Sequence, residues 1–211
     1  MIDSAPRRGR LFVIAAPSGA GKTSLVRALM EREPRLRFSI SYTTRRPRAA
    51  EVHGRDYFFV TREQFEAKVA DGGFLEHARV FDHFYGTARD QVEGALAAGQ
   101  DLILEIDWQG AAQVRRALPE CVSIFILPPS RDELERRLRG RGTDTEEVIH
   151  RRLADAATDM THWQEFDYVV VNDEFARALD ELQAVVDGRD PPAARRERAG
   201  LAELAARLTL A

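Results

Sequence analysis

The stretch Leu11–Ser24, LFVIAAPSGAGKTS, decides how the rest of this chain is read. Leu11–Ala15 is a short apolar run of the kind that forms a strand buried on both faces. It empties into a turn made of Ala16, Pro17, Ser18, Gly19, Ala20 and Gly21. Gly21, Lys22 and Thr23 then open a segment, Ser24 to Glu31, with Leu25, Ala28 and Leu29 at helical spacing. Strand, glycine-rich turn, Lys-Thr and helix is the layout of a phosphate-binding loop. Glycines let backbone N–H groups crowd around phosphate oxygens, and the helix N-terminus adds partial positive charge. In such a loop Lys22 reaches the β- and γ-phosphates and the Thr23 hydroxyl a Mg²⁺ ion. Ala16 stands where the strict pattern has glycine, so an ordinary strand-turn-helix is the competing reading. Lysine usage weighs against it. The chain carries 29 arginines and two lysines, Lys22 and Lys68, so a lysine at this point of the motif is a selective choice. A compact ammonium suits a phosphate crevice that a guanidinium fork would not fit.

At 211 residues the chain is long enough for one domain with a sizeable insertion. Hydrophobic content of 44% and charged content of 31% are those of a soluble globular protein. A formal net charge of −3 argues against broad nucleic-acid binding, although local arginine clusters exist. The single cysteine, Cys121, lies in the apolar run CVSIFIL and reads as a core residue. The apolar run after the basic N-terminus is too short for a signal peptide, and no stretch approaches the roughly 20 apolar residues of a membrane span. The expected compartment is the cytoplasm.

Strands are expected at Arg37–Ile40, Tyr57–Val60, Phe74–Phe81, His83–Tyr85, Asp101–Asp107, Cys121–Leu127 and Asp167–Val171. Helices are expected over Thr61–Ala70, Ala88–Ala98, Gln109–Leu118, from Ser130 into RRLRGRGTD, over Thr145–Trp163 and over Asp173–Val186. Thr61 with Gln64, and Ser130 with Glu133, are spaced as capping boxes. Alternation of strands and helices predicts an α/β fold with a parallel sheet flanked by helices. Residues 9–40 and 88–187 make its core, 41–87 a small mixed insertion, and 188–211 a helical tail. Leu201, Leu204 and Leu208 give that tail an apolar face able to dock on the body or on a second copy of the chain.

The segment 41–57 holds a second constellation: Thr43, Thr44, Arg45, Arg48, Glu51, Gly54 and Tyr57. Arg45 and Arg48 bracket Pro47, and two guanidiniums with a phenol would make a bidentate phosphate clamp. A solvated basic loop is the plainer alternative. Tyr85-Gly86-Thr87 and Glu76 lie in the same insertion. From spacing alone, Glu76 is equally a surface carboxylate on a strand.

With these residues in view, the chain resembles the bacterial guanylate kinases. The signature T-[ST]-R, a basic residue three on, then an acid, a glycine and Y-x-[FY], is met by Thr43, Thr44, Arg45, Arg48, Glu51, Gly54, Tyr57 and Phe59. The similarity continues through FLEHARVF, YGT, LEIDWQGA, IFILPPS, LRGRGTDTEE and VVND, over roughly residues 9–185. It implies a P-loop NTPase-type fold and transfer of the γ-phosphoryl group of ATP to GMP or dGMP, with Mg²⁺, in purine nucleotide recycling. It implies that Arg45, Arg48, Tyr57 and Tyr85 hold the GMP phosphate, while Ser41, Glu76, Gly86 and Thr87 face the guanine. Ala16 to Ser24 and Asn172 would hold ATP, and 131–152 would form a mobile lid with Arg137, Arg141 and Arg152 on the phosphates. Lys22, Arg45 and those three lid arginines are the implied catalytic set. Gly140 and Gly142 flank Arg141 and would let the lid close. Asp107 would lie near the Mg²⁺–phosphate region. Glu105 stands where the family commonly has aspartate, and Ala50 where glycine is frequent. In the family that aspartate contributes to the base site, which makes Glu105 a candidate GMP contact alongside Asp107. Two other readings keep the same fold: a guanylate-kinase-like binding module, and a kinase of another phosphorylated acceptor.

Overall fold

A computed structural model describes residues 7–80, 82–140, 145–195 and 197–209. In chain order the elements are β1 (Leu11–Ala15), α1 (Lys22–Arg32), β2 (Leu36–Phe38), β3 (Tyr42–Thr43), β4 (Phe58–Phe59), α2 (Arg62–Ala70), β5 (Phe74–Val80) and β6 (His83–Ala88). There follow α3 (Arg89–Ala97), β7 (Asp101–Glu105), α4 (Trp108–Ala117), β8 (Val122–Leu127), α5 (Arg131–Arg139), α6 (Glu146–Met160), β9 (Tyr168–Val171), α7 (Phe175–Val186) and α8 (Leu201–Thr209). The fold is α/β, with parallel strands and helices as the alternation predicts.

The chain divides into two compact units. The first comprises the described residues of Met1–Leu11, Arg35–Leu104 and Gln109–Cys121. Within it β2 runs parallel to β7, with Leu36 opposite Asp101 and Phe38 opposite Ile103. A second, four-stranded sheet in the order β4-β3-β6-β5 is built from the segment 42–88. There β3 lies antiparallel to β6 and parallel to β4. Phe65 of α2 stacks on Phe74 and Phe84, with centroids 4.6 and 5.5 Å away. A ring buried as fully as Phe65 stabilises the fold by about 1.5–3 kcal/mol. The Thr61 capping box is complete: Thr61 accepts from the Gln64 N–H, and the Gln64 side chain accepts from the Thr61 N–H.

The second unit comprises Phe12–Pro34, Glu105–Trp108 and the described residues of Val122–Ala211. Strands β1, β8 and β9 run parallel, with Ala15 opposite Phe125 and Leu127 opposite Val171. Every residue of β1 is buried, as a strand covered on both faces must be. Helix α1 packs on α7, α5 on α6, and α6 on α8. Leu201 and Leu208 of α8 are each 1% exposed. The apolar face of the tail thus docks on its own unit.

Several elements differ in detail from the expected ones. Helix α1 starts at Lys22 because Gly21, in the left-handed region at φ 93°, turns the chain directly into it. Strand β2 stops at Phe38, and β3 and β4 are two residues long, too short for any periodicity to reveal. Ser130 caps α5 by accepting from the Glu133 N–H, but the Glu133 carboxylate turns to Arg136 and Arg137 instead of closing a box. The helix expected through Trp163 ends at Met160, and a short 3-10 turn follows at Trp163–Glu165. Helix α7 begins at Phe175 because the side chain of Asp173 accepts from the Glu174 N–H and holds that turn open. Among the described residues no helix is long and apolar enough to cross a membrane.

Candidate active site

In the second unit, β1 delivers the chain to a loop whose two glycines are fixed by geometry. Gly19 and Gly21 take φ of 92° and 93°, which side chains disfavour. A Cβ on Gly21 would also lie 2.3 Å from the Asn172 Nδ2, so the loop approaches the end of β9 closer than any other residue permits. Asn172 Nδ2 donates to the Ala20 carbonyl at 2.7 Å. Arg137, from α5, donates to the Asn172 carbonyl at 2.9 Å and to the Ala20 carbonyl at 3.3 Å. The Glu133 carboxylate accepts from Arg137 Nε at 2.7 Å and binds Arg136 as well; both guanidiniums hold its pKa down at about 2. Loop, β9 and α5 thereby enclose a cavity of about 460 Å³ lined by Gly19, Gly21, Ser24, Arg136, Arg137 and Asn172, among others. Ala16 follows the buried strand directly, and the Ala20 N–H donates to the Pro17 carbonyl, so the turn closes with alanine at position 16. Ser18 is exposed on it.

Lys22 Nζ donates to the Ile106 carbonyl at 3.0 Å and lies 4.0 Å from Glu105. Burial pushes its pKa down from 10.5, opposed by the negative charges of Glu105, Asp107 and Asp159. The Thr23 hydroxyl donates to the Glu105 carboxylate. Glu105, considered from sequence as a contact to the acceptor, is therefore brought by the structure to Thr23 and Lys22, and Asp107 lies in the same unit. Arg152 is half-buried on α6. Arg141 and Gly142 lie outside the described residues.

In the first unit, the four-stranded sheet gathers the other set. β5 and β6 shift register between Phe74 and Glu76, a bulge that breaks the strict in-out alternation. Leu75 and Glu76 are consequently both buried, at 4% and 5% exposure. Thr87, directly opposite, donates its hydroxyl to Glu76 at 2.6 Å. Gly86 is buried next to it, and Ser41 sits at the start of β3, where its carbonyl accepts from the Phe58 N–H.

Arg45 donates to Glu51 at 2.7 Å and to the Arg46 carbonyl at 2.9 Å. Its guanidinium lies 5.5 Å from the Tyr57 ring centroid and 5.8 Å from that of Phe59. The bond to Glu51 raises the Arg45 pKa, burial opposes it, and a hydrogen bond that Arg45 donates to the Tyr85 oxygen adds to the rise. Tyr57 and Tyr85 meet edge to face at 6.0 Å. Glu51 also accepts the Arg48 N–H at 2.7 Å, so one carboxylate pins both ends of the TRRPR turn. Arg48 itself is exposed. Arg45, Tyr57 and Tyr85 thus converge, held by Glu51, whose organising role spacing did not reveal. Glu133, expected only as a capping residue, and Arg136 and Phe175 also line the cavity and were not among the expected site residues.

Among the described residues no group of three or more His, Cys, Asp or Glu side chains is placed to hold a metal ion unaided. A hydroxyl backed by a carboxylate, as in Thr23 and Glu105, fits instead a Mg²⁺ ion that arrives with nucleotide phosphates and keeps most of its shell from them and from water.

The guanylate kinase family model matches residues 8–189. The guanylate kinase of Nitrosococcus oceani is 59% identical over 181 residues, covering 86% of this chain and 89% of that protein. The guanylate kinase of Escherichia coli is 51% identical over 181 residues, covering 85% and 87%. The crystal structure of guanylate kinase from Anaplasma phagocytophilum superposes with a TM-score of 0.69 at 33% identity, covering 97% of this chain and 98% of that one. On the strength of the matched span and these identities, the chain belongs to the guanylate kinase family.

Proposed function

We propose that this enzyme, a guanylate kinase transferring the γ-phosphoryl group of ATP to GMP, uses the loop cavity of the second unit for ATP and the Glu76–Arg45 face of the first for GMP. The observation that carries the acceptor assignment is the buried Glu76. Guanine presents adjacent N1–H and N2–H₂ donors, which one carboxylate accepts as a pair, whereas adenine has no N1–H. Thr87 fixes the orientation of that carboxylate, and Ser41 and Gly86 complete the surroundings of the base. Arg45, Arg48, Tyr57 and Tyr85 take the acceptor phosphate.

On the donor side, the backbone of residues 16–21 with Lys22, Thr23 and Ser24 cradles the ATP phosphates. Arg137 and Asn172 border the cavity, and Arg141 and Arg152 meet the transferring group from the lid, 131–152. Thr23, with Glu105 and Asp107 behind it, would hold Mg²⁺. Bound there, the ion supplies neutralisation of phosphate charge. The nucleophile is an acceptor phosphate oxygen that is already anionic, so no general base is needed. The barrier is repulsion between two polyanions and the demand for in-line geometry; positioning and positive charge lower it. Lys22 and the lid arginines supply that charge, Arg45 aims the acceptor, and exclusion of water prevents hydrolysis of ATP. The 41–87 segment then acts as an acceptor-binding insertion in a core of 9–40 and 88–187. The substrates are small nucleotides, and the cytoplasm, where both are abundant, is the place of action.

The test is initial-rate ADP release from ATP with GMP, dGMP, AMP, UMP and IMP as acceptors. GMP and dGMP are expected to support the highest rates. ADP release with none of them contradicts the assignment, and a preference for AMP or UMP contradicts the role of Glu76.

A further inference from the structure

Outside the residues considered so far, one side-chain cluster bears on the donor loop. Trp108, the first residue of α4, lies face to face with His162, with ring centroids 3.4 Å apart and planes within 9°. Its indole N–H donates to Asp159, near the C-terminal end of α6, at 3.1 Å. His162 is fixed in turn by Glu165, 2.5 Å from its Nδ1. The indole is therefore held on its face and at its polar edge, a degree of constraint that a half-buried tryptophan does not need for packing alone.

What this constraint acts upon is two residues upstream. The Ile106 N–H donates to the Ile14 carbonyl at 3.2 Å, and the Ile106 carbonyl accepts from Lys22 Nζ. Glu105, beside it, accepts from Thr23. The segment 105–108 is thus anchored on β1 through Ile106 and held at its end by Trp108, and it carries the acceptors for both Lys22 and Thr23. A half-buried ammonium that loses its carbonyl partner finds another, and it moves to do so.

We propose that Trp108, locked by Asp159 and His162, is a positioning residue for Lys22: it fixes the Ile106 carbonyl that aims the ammonium at the transferring phosphate. The inference rests on Lys22 serving the transfer step. The lock consists of a hydrogen bond with a stack. Asparagine at 159 keeps an oxygen that accepts the indole N–H, so Asp159→Asn preserves it while Asp159→Ala breaks it.

The experiment compares Asp159→Ala, Asp159→Asn, Trp108→Phe and Lys22→Ala by kcat and by KM for ATP and GMP. Trp108 fluorescence is followed in a Trp163→Phe background, where Trp108 is the sole indole. Asp159→Ala and Trp108→Phe are expected to lower kcat by about tenfold, the scale of a displaced catalytic group, with KM for GMP unchanged. Asp159→Asn restores kcat, and Trp108 emission changes in Asp159→Ala but not in Asp159→Asn. Trp108→Phe removes the N–H and one ring of the indole but keeps an aromatic ring against His162, so it carries the test if Asp159→Ala fails to fold. Unchanged kcat in Trp108→Phe, or Asp159→Asn as impaired as Asp159→Ala, overturns the positioning role while leaving Lys22 in place. Full turnover in Lys22→Ala removes the reading on which the inference stands.

Discussion

The Thr87 hydroxyl donates to the Glu76 carboxylate at 2.6 Å, across two strands, in a site where both residues are at most 5% exposed. Folding places a carboxylate in such a site only where something compensates for its lost hydration. A carboxylate oriented in this way offers oxygen acceptors to a ligand with paired N–H donors, which is why guanine is the ligand proposed for it.

The Arg45–Glu51 pair holds the guanidinium of the proposed acceptor clamp in place without a ligand. Glu51→Ala frees the Arg45 side chain and the Arg48 N–H together. Immobilising the guanidinium then falls to the substrate, so KM for GMP is expected to rise about three- to tenfold with KM for ATP unchanged. Steady-state kinetics with each substrate varied in turn checks this.

Glu105 accepts from Thr23, which orients the hydroxyl lone pairs away from the carboxylate. Groups that orient a metal-facing ligand are worth about 10–100-fold in metal affinity. Glu105→Ala is therefore expected to raise the Mg²⁺ concentration for half-maximal activity by roughly tenfold, in the lower part of that range. A Mg²⁺ titration at fixed ATP measures it, and an unchanged midpoint counts against Thr23 as the metal-side residue.

Burial lowers the Lys22 pKa from 10.5, and bound phosphates would raise it again. The ammonium is the form that binds phosphate, so activity is lost as pH rises through the lowered pKa. An alkaline limb in kcat/KM for ATP is expected to bend below pH 10.5 and to fall about tenfold per pH unit beyond the bend. In kcat, which reports the loaded enzyme, the limb moves to higher pH. A profile of kcat/KM that stays flat to pH 10.5 is the contrary result.

Leu208, 1% exposed, belongs to the α8 face that packs against α6. Leu208→Ala leaves a cavity there and is expected to cost about 2–5 kcal/mol of unfolding free energy. Urea denaturation followed by far-UV circular dichroism reads it. A midpoint unchanged from the parent protein would mean that the tail contributes nothing to the stability of its unit.

The donor loop was legible in the sequence because strand, glycines, lysine and helix are adjacent, and each has its own local reason. The same holds for Thr61 and Gln64, three residues apart on one helical turn. The residues proposed for the acceptor were picked out by motif, but the contacts that support them were not. Glu51 organises Arg45 through a turn whose closure no periodicity records. Thr23 and Glu105 are 82 positions apart, and Trp108 and Asp159 are 51 apart, so only the folded chain brings them together. The burial of Glu76 follows from a bulge, which breaks the alternation that would otherwise turn it outward. Arg141 lies outside the described residues, so its place on the lid stays a proposal of the motif.

The most direct measurement is the ratio of kcat/KM for GMP to that for AMP, in the parent enzyme and in Glu76→Gln side by side. Glutamine keeps the size of the side chain but replaces one acceptor oxygen with a donor that meets guanine's own N–H groups. The parent ratio is expected to be of order 10⁴, and Glu76→Gln to lose most of it through kcat/KM for GMP. A ratio that survives the substitution intact would contradict the assignment of Glu76 to the guanine, and with it the acceptor site.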